Sequence, residues 1–477
     1  MEYEKVIGLE IHMRVKSETK LFCGCKNSLA LEAQANINVC PICMGHPGML
    51  PAVNSEVIRL WVLAGMMMNC EINKVSRFDR KSYFYPDLPN SFQTTQLYEP
   101  IVWAGYVETI VEWKLQRFDI HHMHLENDAG KLSHAGGKTL CDYNRAGSPL
   151  MEIVTMPVFH SREEVMEFLK ELQKIMRAAG VSDGDMEKGQ MRCDVNMSIR
   201  EPGTDVLNNR TEHKNVNSFS AIGRCIDAEF KRQKKIMLAG GEVDQETRWW
   251  DDESGTSSSQ RSKEDAMDYR YVPEPDILPI VLEDDFLTEL KKSVVELPIM
   301  KRQRYLEQYK LWEDDARILT ADYELSKYYD ELVSLTNDSK KSCSIVTTVL
   351  LALINESDAM ESLSDLKFWV SDLAKVIALI NSDELSSTNW KVVIEELFTN
   401  GWDVDTIVDS KSLRQKNDMW ALESIVDEVI SWNPEQVLDY KWGNERIFWF
   451  LVGQCMKSSK GQWNPKVFNE LLKKKLD

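Results

Sequence analysis

Three prolines in seven residues, Pro273, Pro275 and Pro279 of PEPDILPI, divide the chain into two stretches of different texture. A proline cannot donate a backbone hydrogen bond and clashes with the preceding helical turn, so the segment marks a boundary. Before it, short β-type runs such as VIGLEIHMRV, MEIVTMPVF and CDVNMSIR alternate with Gly, Pro and Asn, and only a few stretches, REEVMEFLKELQKIMRAAG among them, are helical. An α+β domain is expected there. After it, apolar residues recur at three and four spacing through DDFLTELKKSVVEL, ADYELSKYYDELVSL, VSDLAKVIALI and WKVVIEELFTNG, which predicts an all-α domain. A second break at Asn400 and Gly401 precedes a smaller all-α tail containing DMWALESIVDEVISWNPEQVLDY and PKVFNELLKKKL. The expected domains span residues 1–292, 293–405 and 406–477. Three domains agree with 477 residues at roughly 150 per domain.

Charge narrows the functional classes. A net charge of -19 argues against a polycation that coats nucleic acid, so any RNA contact needs a local basic patch. The tail supplies one: Lys441, Arg446, Lys457, Lys460, Lys466, Lys473, Lys474 and Lys475 oppose only Glu445, Glu470 and Asp477. Trp442, Trp449 and Trp463 in the same segment could add stacking surfaces, or could form the core of a solvated helical piece. No signal peptide is evident, and the longest apolar run, IVTTVLLALI, is too short to span a membrane. It reads as a buried core helix. A cytoplasmic protein is expected, with its cysteines reduced.

Four of the ten cysteines cluster. Cys23 and Cys25, then Cys40 and Cys43, lie in LFCGCKNSLALEAQANINVCPICMGHPG, and two close pairs joined by a loop suit a tetrahedral Zn²⁺ ion. Four thiolates leave no open position, so the zinc would be structural. The other six, Cys70, Cys141, Cys193, Cys225, Cys343 and Cys455, read as small buried side chains.

A second constellation is dispersed. In GLEIH, Glu10 and His12 are two apart on an expected strand and project from one face. HLENDAGK supplies Glu126, and NNRTEHKNVNSF supplies Glu212 beside Arg210 and Lys214. Carboxylates with few other ligands suit hard Mg²⁺, while neighbouring cations neutralise phosphate. Taken singly, each is more simply an exposed carboxylate or a satisfied core histidine. AGGKT around Lys138 lacks the first glycine of a phosphate loop, having Leu132 there, and SGTSSSQ lacks the glycines and lysine of an amidase serine site.

Taken in order, VIGLEIH, CPICMGHPGMLPAVN, FDRKSYFYPDLP, HLENDAGK, DYNRAGSPLMEIVT, EHKNVNSF, RSKEDAMDYRYVPEPDILP and FLVGQCMKSSKGQWNP resemble the B-subunit family of the bacterial-type aspartyl/glutamyl-tRNA amidotransferases. The resemblance implies an N-terminal catalytic cradle similar in fold to glutamine synthetase and guanido kinases, then a helical domain and a YqeY-like tRNA-binding tail. It implies a ligase that uses ATP to activate the side-chain carboxylate of glutamyl-tRNA(Gln) or aspartyl-tRNA(Asn). Ammonia then displaces phosphate. The implied partners are an amidase A subunit that makes the ammonia, a small C subunit, the mischarged tRNA and the non-discriminating aminoacyl-tRNA synthetase. By the same resemblance Glu10, His12, Glu126 and Glu212 hold Mg²⁺, Lys81 joins them in catalysis, Arg210, Lys214 and Arg270 bind the nucleotide, and Cys23, Cys25, Cys40 and Cys43 hold zinc. Asn90 stands where the family commonly has a lysine near its ammonia channel, and His213 where an aliphatic residue is usual. Two other classes stay open: a non-catalytic zinc-containing RNA-binding protein, and a free-standing amide ligase fed by dissolved ammonia.

Overall fold

The computed structural model describes residues 2–27, 34–262, 268–357, 362–386, 388–414, 419–444, 446–459 and 465–476. It divides into two compact units, Met1–Lys301 and Arg302–Asp477.

The first unit is built on an eight-stranded sheet. In chain order its strands are β1 (Glu4–Arg14), β2 (Gly105–Val111), β3 (Lys114–Asn127), β4 (Pro149–Thr155), β5 (Met191–Arg200), β6 (Thr211–Lys214), β7 (Glu246–Asp251) and β8 (Thr256–Ser262). Their spatial order is β8-β7-β6-β5-β1-β4-β3-β2. Neighbours are antiparallel except β6 and β7, which run parallel and therefore need a crossover. Helix α3 (Phe219–Leu238) makes that crossover, and α2 (Arg162–Ala178) packs beside it. Each begins at a serine whose hydroxyl accepts an amide N–H of the first turn, Ser161 for α2 and Ser218 for α3. A third helix, α1 (Ser55–Met67), starts at Asn54 and is apolar on most sides, as befits a buried helix.

Strand alternation decides which face meets the helices. On β1, Ile7, Leu9, Ile11 and Met13 are essentially inaccessible, while Glu10, His12 and Arg14 occupy the other face. On the helix side Phe118, Phe159 and Phe168 meet with ring centroids 4.8 to 5.9 Å apart. Burying such a ring contributes on the order of 2 kcal/mol. The opposite face keeps its polar side chains and carries the site. Gly105, which opens β2, permits close packing: a Cβ there would lie 2.2 Å from Cys70 Sγ.

The AGGKT stretch is a hairpin turn between strands Lys131–Ala135 and Lys138–Asp142, with Gly136 and Gly137 at φ of +58° and +70°. No helix follows it, so it has the wrong shape for a phosphate loop.

The second unit is helical throughout its described residues. Helix Asn389–Asn400 stops at Gly401, whose left-handed backbone (φ +66°) closes it. Two hydrophobic clusters form, one from Tyr305 to Val408 and one from Leu422 to Leu476. Helix Val404–Ser410 buries Val404, Ile407 and Val408 in the first. The IVTTVLLALI run departs from the uniformly buried helix expected of it. It passes through a π turn, Val346–Leu350, and only Ile345, Val346 and Leu350 are buried, whereas Thr348 and Ala352 are exposed. Thr347 and Thr348 hydroxyls donate to the carbonyls of Cys343 and Ser344, a back-bonding that distorts helices. Trp442 and Trp449 stand on the surface, outside the second cluster. Lys460 and Trp463 fall outside the described residues.

Candidate active site and metal centres

Register places the polar residues in rows across the open face. His12 lies opposite Glu152 of β4 and Arg192 of β5, and Glu152 lies opposite His124 of β3. One row is therefore His124, Glu152, His12 and Arg192. A second runs from Glu10 through Asp194 to Lys214 and Trp249, joined by the Glu10–Asp194 pairing, a Lys214–Asp194 ion pair of 2.7 Å and the Lys214–Trp249 pairing. A third contains Asn196, Glu212 and Thr247.

Two clusters with ligand atoms within 4.8 Å of one another result: His12, Glu126 and Glu152, and Glu10, Asp194 and Glu212. In the first, His12 Nε2 is 3.3 Å from Glu152 and 3.8 Å from Glu126, and His124 Nε2 is 3.0 Å from Glu152. Burial raises the Glu126 carboxyl, and the charge of Glu152 raises it further. Burial opposes ionisation of Glu152 as well, but His124 and His12 outweigh it and hold that carboxyl well below the usual range. Burial works against a charged His12 too, yet its hydrogen bond to Glu152 and the carboxylates around it raise it to about 9.

In the second cluster Asn196 donates to Glu10 at 2.9 Å, Lys214 Nζ lies 2.7 Å from both Asp194 and Glu212, and Thr247 donates to Glu212 at 2.8 Å. Burial and the charges of Glu152 and Glu212 raise Glu10, while Lys214 lowers Glu212 against its burial. Glu10 and Glu126, which resist ionisation because they are buried and stand beside other carboxylates, are groups a divalent cation would relieve. Each oxygen-rich set of three also leaves positions for water or phosphate oxygens, so the donors fit a hard ion such as Mg²⁺.

Glu10 and His12 thus share a face but serve different clusters, because two residues along a strand separate them by about 7 Å. Glu126 and Glu212 are likewise divided between the two. Sequence reasoning missed Glu152 and Asp194, which complete the sets. A lone acid alternating with apolar residues in MEIVT and CDVN was the available signal. A cavity of about 450 Å³ opens over His12, Glu126 and Asp194, with four cations on its walls: Lys81, Arg145, Arg192 and Lys214. Arg145 and Arg192 were also missed. They share Asp128, at 3.2 and 3.5 Å. Arg210 is exposed and lines a neighbouring cavity of about 330 Å³ beside Glu10. Arg270, exposed with φ of +45°, is absent from the lining of both. His213 points the other way, fully buried, with Nε2 3.4 Å from Glu229, itself gripped by Arg232 at 2.7 Å.

Cys23, Cys25, Cys40 and Cys43 converge with all four sulfurs within 4.8 Å, a donor set that fits zinc. A hydrogen bond from Cys23 and the nearby ammonium of Lys20 favour the Cys43 thiolate, and the wholly buried Lys20 sits 3.7 Å from that sulfur. Four thiolates around Zn²⁺ would carry net negative charge, which Lys20 would offset. Among the six remaining cysteines, Cys193, Cys225, Cys343 and Cys455 are buried and Cys70 and Cys141 half-buried.

Comparison with known proteins adds an independent line. The family model described as GatB/GatE catalytic domain matches residues 5–288, and that described as GatB domain matches 327–476. Curated relatives named as the B subunit of an aspartyl/glutamyl-tRNA(Asn/Gln) amidotransferase include that of Persephonella marina, 41% identical over all of both chains. That of Caldicellulosiruptor saccharolyticus is also 41% identical over all of both chains, and that of Lachnoclostridium phytofermentans is 42% identical over 99% of each.

Proposed function

Since the chain belongs to the family of aspartyl/glutamyl-tRNA(Asn/Gln) amidotransferase B subunits, we propose that its open sheet face activates the side-chain carboxylate of a mischarged tRNA with ATP. It is one subunit of a multi-subunit, tRNA-dependent ligase that forms C–N bonds. The observation that carries the finer reading is the pair of three-ligand clusters on adjoining strands beneath a cavity walled by four cations.

In the first half-reaction an oxygen of the substrate carboxylate takes the γ-phosphoryl group of ATP and ADP leaves. In the second, ammonia adds to the acyl-phosphate carbon, the C–O bond to phosphate breaks, and the proton that nitrogen loses leaves on the phosphate. Both steps concentrate negative charge on phosphoryl oxygens, so the main catalytic requirement is fixed positive charge rather than a covalent nucleophile. Held by His12, Glu126 and Glu152 or by Glu10, Asp194 and Glu212, Mg²⁺ would supply part of that charge as a Lewis acid. Lys81, Arg145 and Arg192 supply the rest from the cavity wall and orient the incoming carboxylate. Lys214 bridges Asp194 and Glu212 and offsets their mutual repulsion. The cradle fold, the nucleotide contacts of Arg210 and Arg270, and structural zinc on the four cysteines belong to the same reading. So do the amidase A subunit, the small C subunit and the non-discriminating synthetase as partners, with tRNA contacted by the tail.

Reconstitution tests it. With A and C subunits, glutamine and either Glu-tRNA(Gln) or Asp-tRNA(Asn), ADP should form only when mischarged tRNA is present, and amidated tRNA should accumulate. ADP formation indifferent to mischarged tRNA would refute the reading, and amidation by the isolated chain with ammonium alone would identify the free-standing ligase.

A further inference from the structure

Trp249 ends the row that begins at Glu10. Its strand alternates cleanly: Arg248 and Trp250 are buried on the helix side, while Thr247 reaches Glu212 on the open face. Trp249 therefore projects onto that open face, lines the cavity over the carboxylates and remains 42% exposed. An exposed indole alone means little, since single apolar residues are common on surfaces. Its position is what matters. Lys214, its neighbour in register, bonds to both Asp194 and Glu212, so an aromatic plate, an ammonium group and a metal-type carboxylate set follow one another. From Glu10 to Trp249 the row crosses three strand spacings of about 4.8 Å, about 14 Å in all. That reach suits a base at one end of a molecule whose reacting group lies at the other.

The adjacent loop adds an edge. Asn215 is held in the left-handed region (φ +68°) by a bond from its amide to the Trp250 carbonyl oxygen at 3.0 Å. Asn217 donates one amide hydrogen to Asn215 at 3.0 Å, is exposed, and keeps the other end of its amide unclaimed among the described residues. A flat aromatic face beside an amide is how proteins hold nucleobases, by stacking plus hydrogen bonds to the base edge.

We propose that the mouth of the cavity bounded by Trp249, Lys214 and Asn217 is an adenine subsite, with Trp249 as its stacking plate. The proposal rests on the activation chemistry above, which brings two adenines to this face: that of ATP, and the 3′-terminal adenosine of the tRNA. Both present the same base, and kinetics separates them.

The test uses the assembled complex with Trp249→Ala and Trp249→Phe, varying ATP and mischarged tRNA independently with ammonium as nitrogen donor. Trp249→Ala should raise KM for one of the two substrates about tenfold, the order expected for losing one stacking face, and Trp249→Phe should restore most of it. A rise confined to ATP assigns the donor's adenine, and one confined to tRNA assigns the terminal adenosine. Unchanged KM for both, or a Trp249→Phe protein as impaired as Trp249→Ala, overturns the subsite. Should Trp249→Ala fail to fold, the phenylalanine variant still decides through fluorescence: adenine binding must quench a component of wild-type emission that Trp249→Phe lacks. Glu126→Gln run in parallel separates the two hypotheses. If it and Glu212→Gln both stay active, the activation reading itself fails, whereas inactive carboxylate variants beside a normal Trp249→Ala remove only the subsite.

Discussion

Replacing Glu126 or Glu212 by Gln keeps side-chain volume and removes one negative ligand from each cluster, so the two variants probe the two centres separately. Each is expected to lower tRNA-dependent ATP cleavage by about a hundredfold or more, the loss that accompanies removal of about 3 kcal/mol of transition-state stabilisation. Glutamine hydrolysis by the assembled complex should persist, and rates across a magnesium series measure both effects. Near wild-type cleavage by both would make these carboxylates bystanders. On the helix side of the sheet, Glu229 offers a purely structural test. It is essentially buried, and hydrogen bonds from His213 and Arg232 hold its carboxyl well below the usual range against the opposing effect of burial. A depressed native value means that its stabilisation is full above about pH 4.5 and is lost as the pH falls through the native value. Glu229→Gln should therefore lower stability at pH 7 by about 3 kcal/mol, because His213 and Arg232 lose the charge they bond and Arg232 keeps only the more distant Glu246, at 3.8 Å, with a smaller deficit below pH 4. Denaturant melts at the two pH values measure the difference; an equal deficit at both would show that charge is not what Glu229 contributes.

Among the elements, the cysteine loop was the most legible, because ligand spacing is local and four thiols can be counted along the chain. Cys40→Ser should release zinc and lower the melting temperature while leaving residual amidation, since a closed thiolate site acts through folding. Metal analysis of wild type prepared without chelator should find about one zinc per chain, and less than half would defeat the four-cysteine assignment. The carboxylate site was only half legible. Alternation in GLEIH put Glu10 and His12 on one face, yet it could not say which strands flank β1, and that adjacency delivers Glu152 from one side and Asp194 from the other. Arg145 was hidden for another reason. It lies outside the strands and reaches the cavity through bonds to the carbonyls of Ala129 and Gly130. The π turn at Val346–Leu350 escaped because composition shows how apolar a helix is but not where threonine hydroxyls compete for its carbonyls.

At the scale of the whole molecule, a chain of net charge -19 needs a local excess of cations wherever it meets RNA, and the tail has such an excess. Among the described residues no helix is long and apolar enough to cross a membrane. Truncation after Arg414 spares Val404, Ile407 and Val408 in the first helical cluster and removes the whole second cluster with the exposed Trp442 and Trp449. Affinity for tRNA should fall and its logarithmic dependence on salt should flatten, while turnover at saturating substrate suffers less. Filter binding from low to high salt reads this directly, and an unchanged slope would assign the RNA contacts elsewhere. The division of β1 into an apolar face and a charged one also bears on how the chain finds its fold. Shifting this central strand by one residue against β4 and β5 would turn Glu10, His12 and Arg14 into the helix layer and expose Leu9, Ile11 and Met13. The polar residues of this face, the candidate ligands Glu10 and His12 among them, therefore also proofread strand pairing, and a variant that replaced them with aliphatics would lose that protection against misaligned assembly.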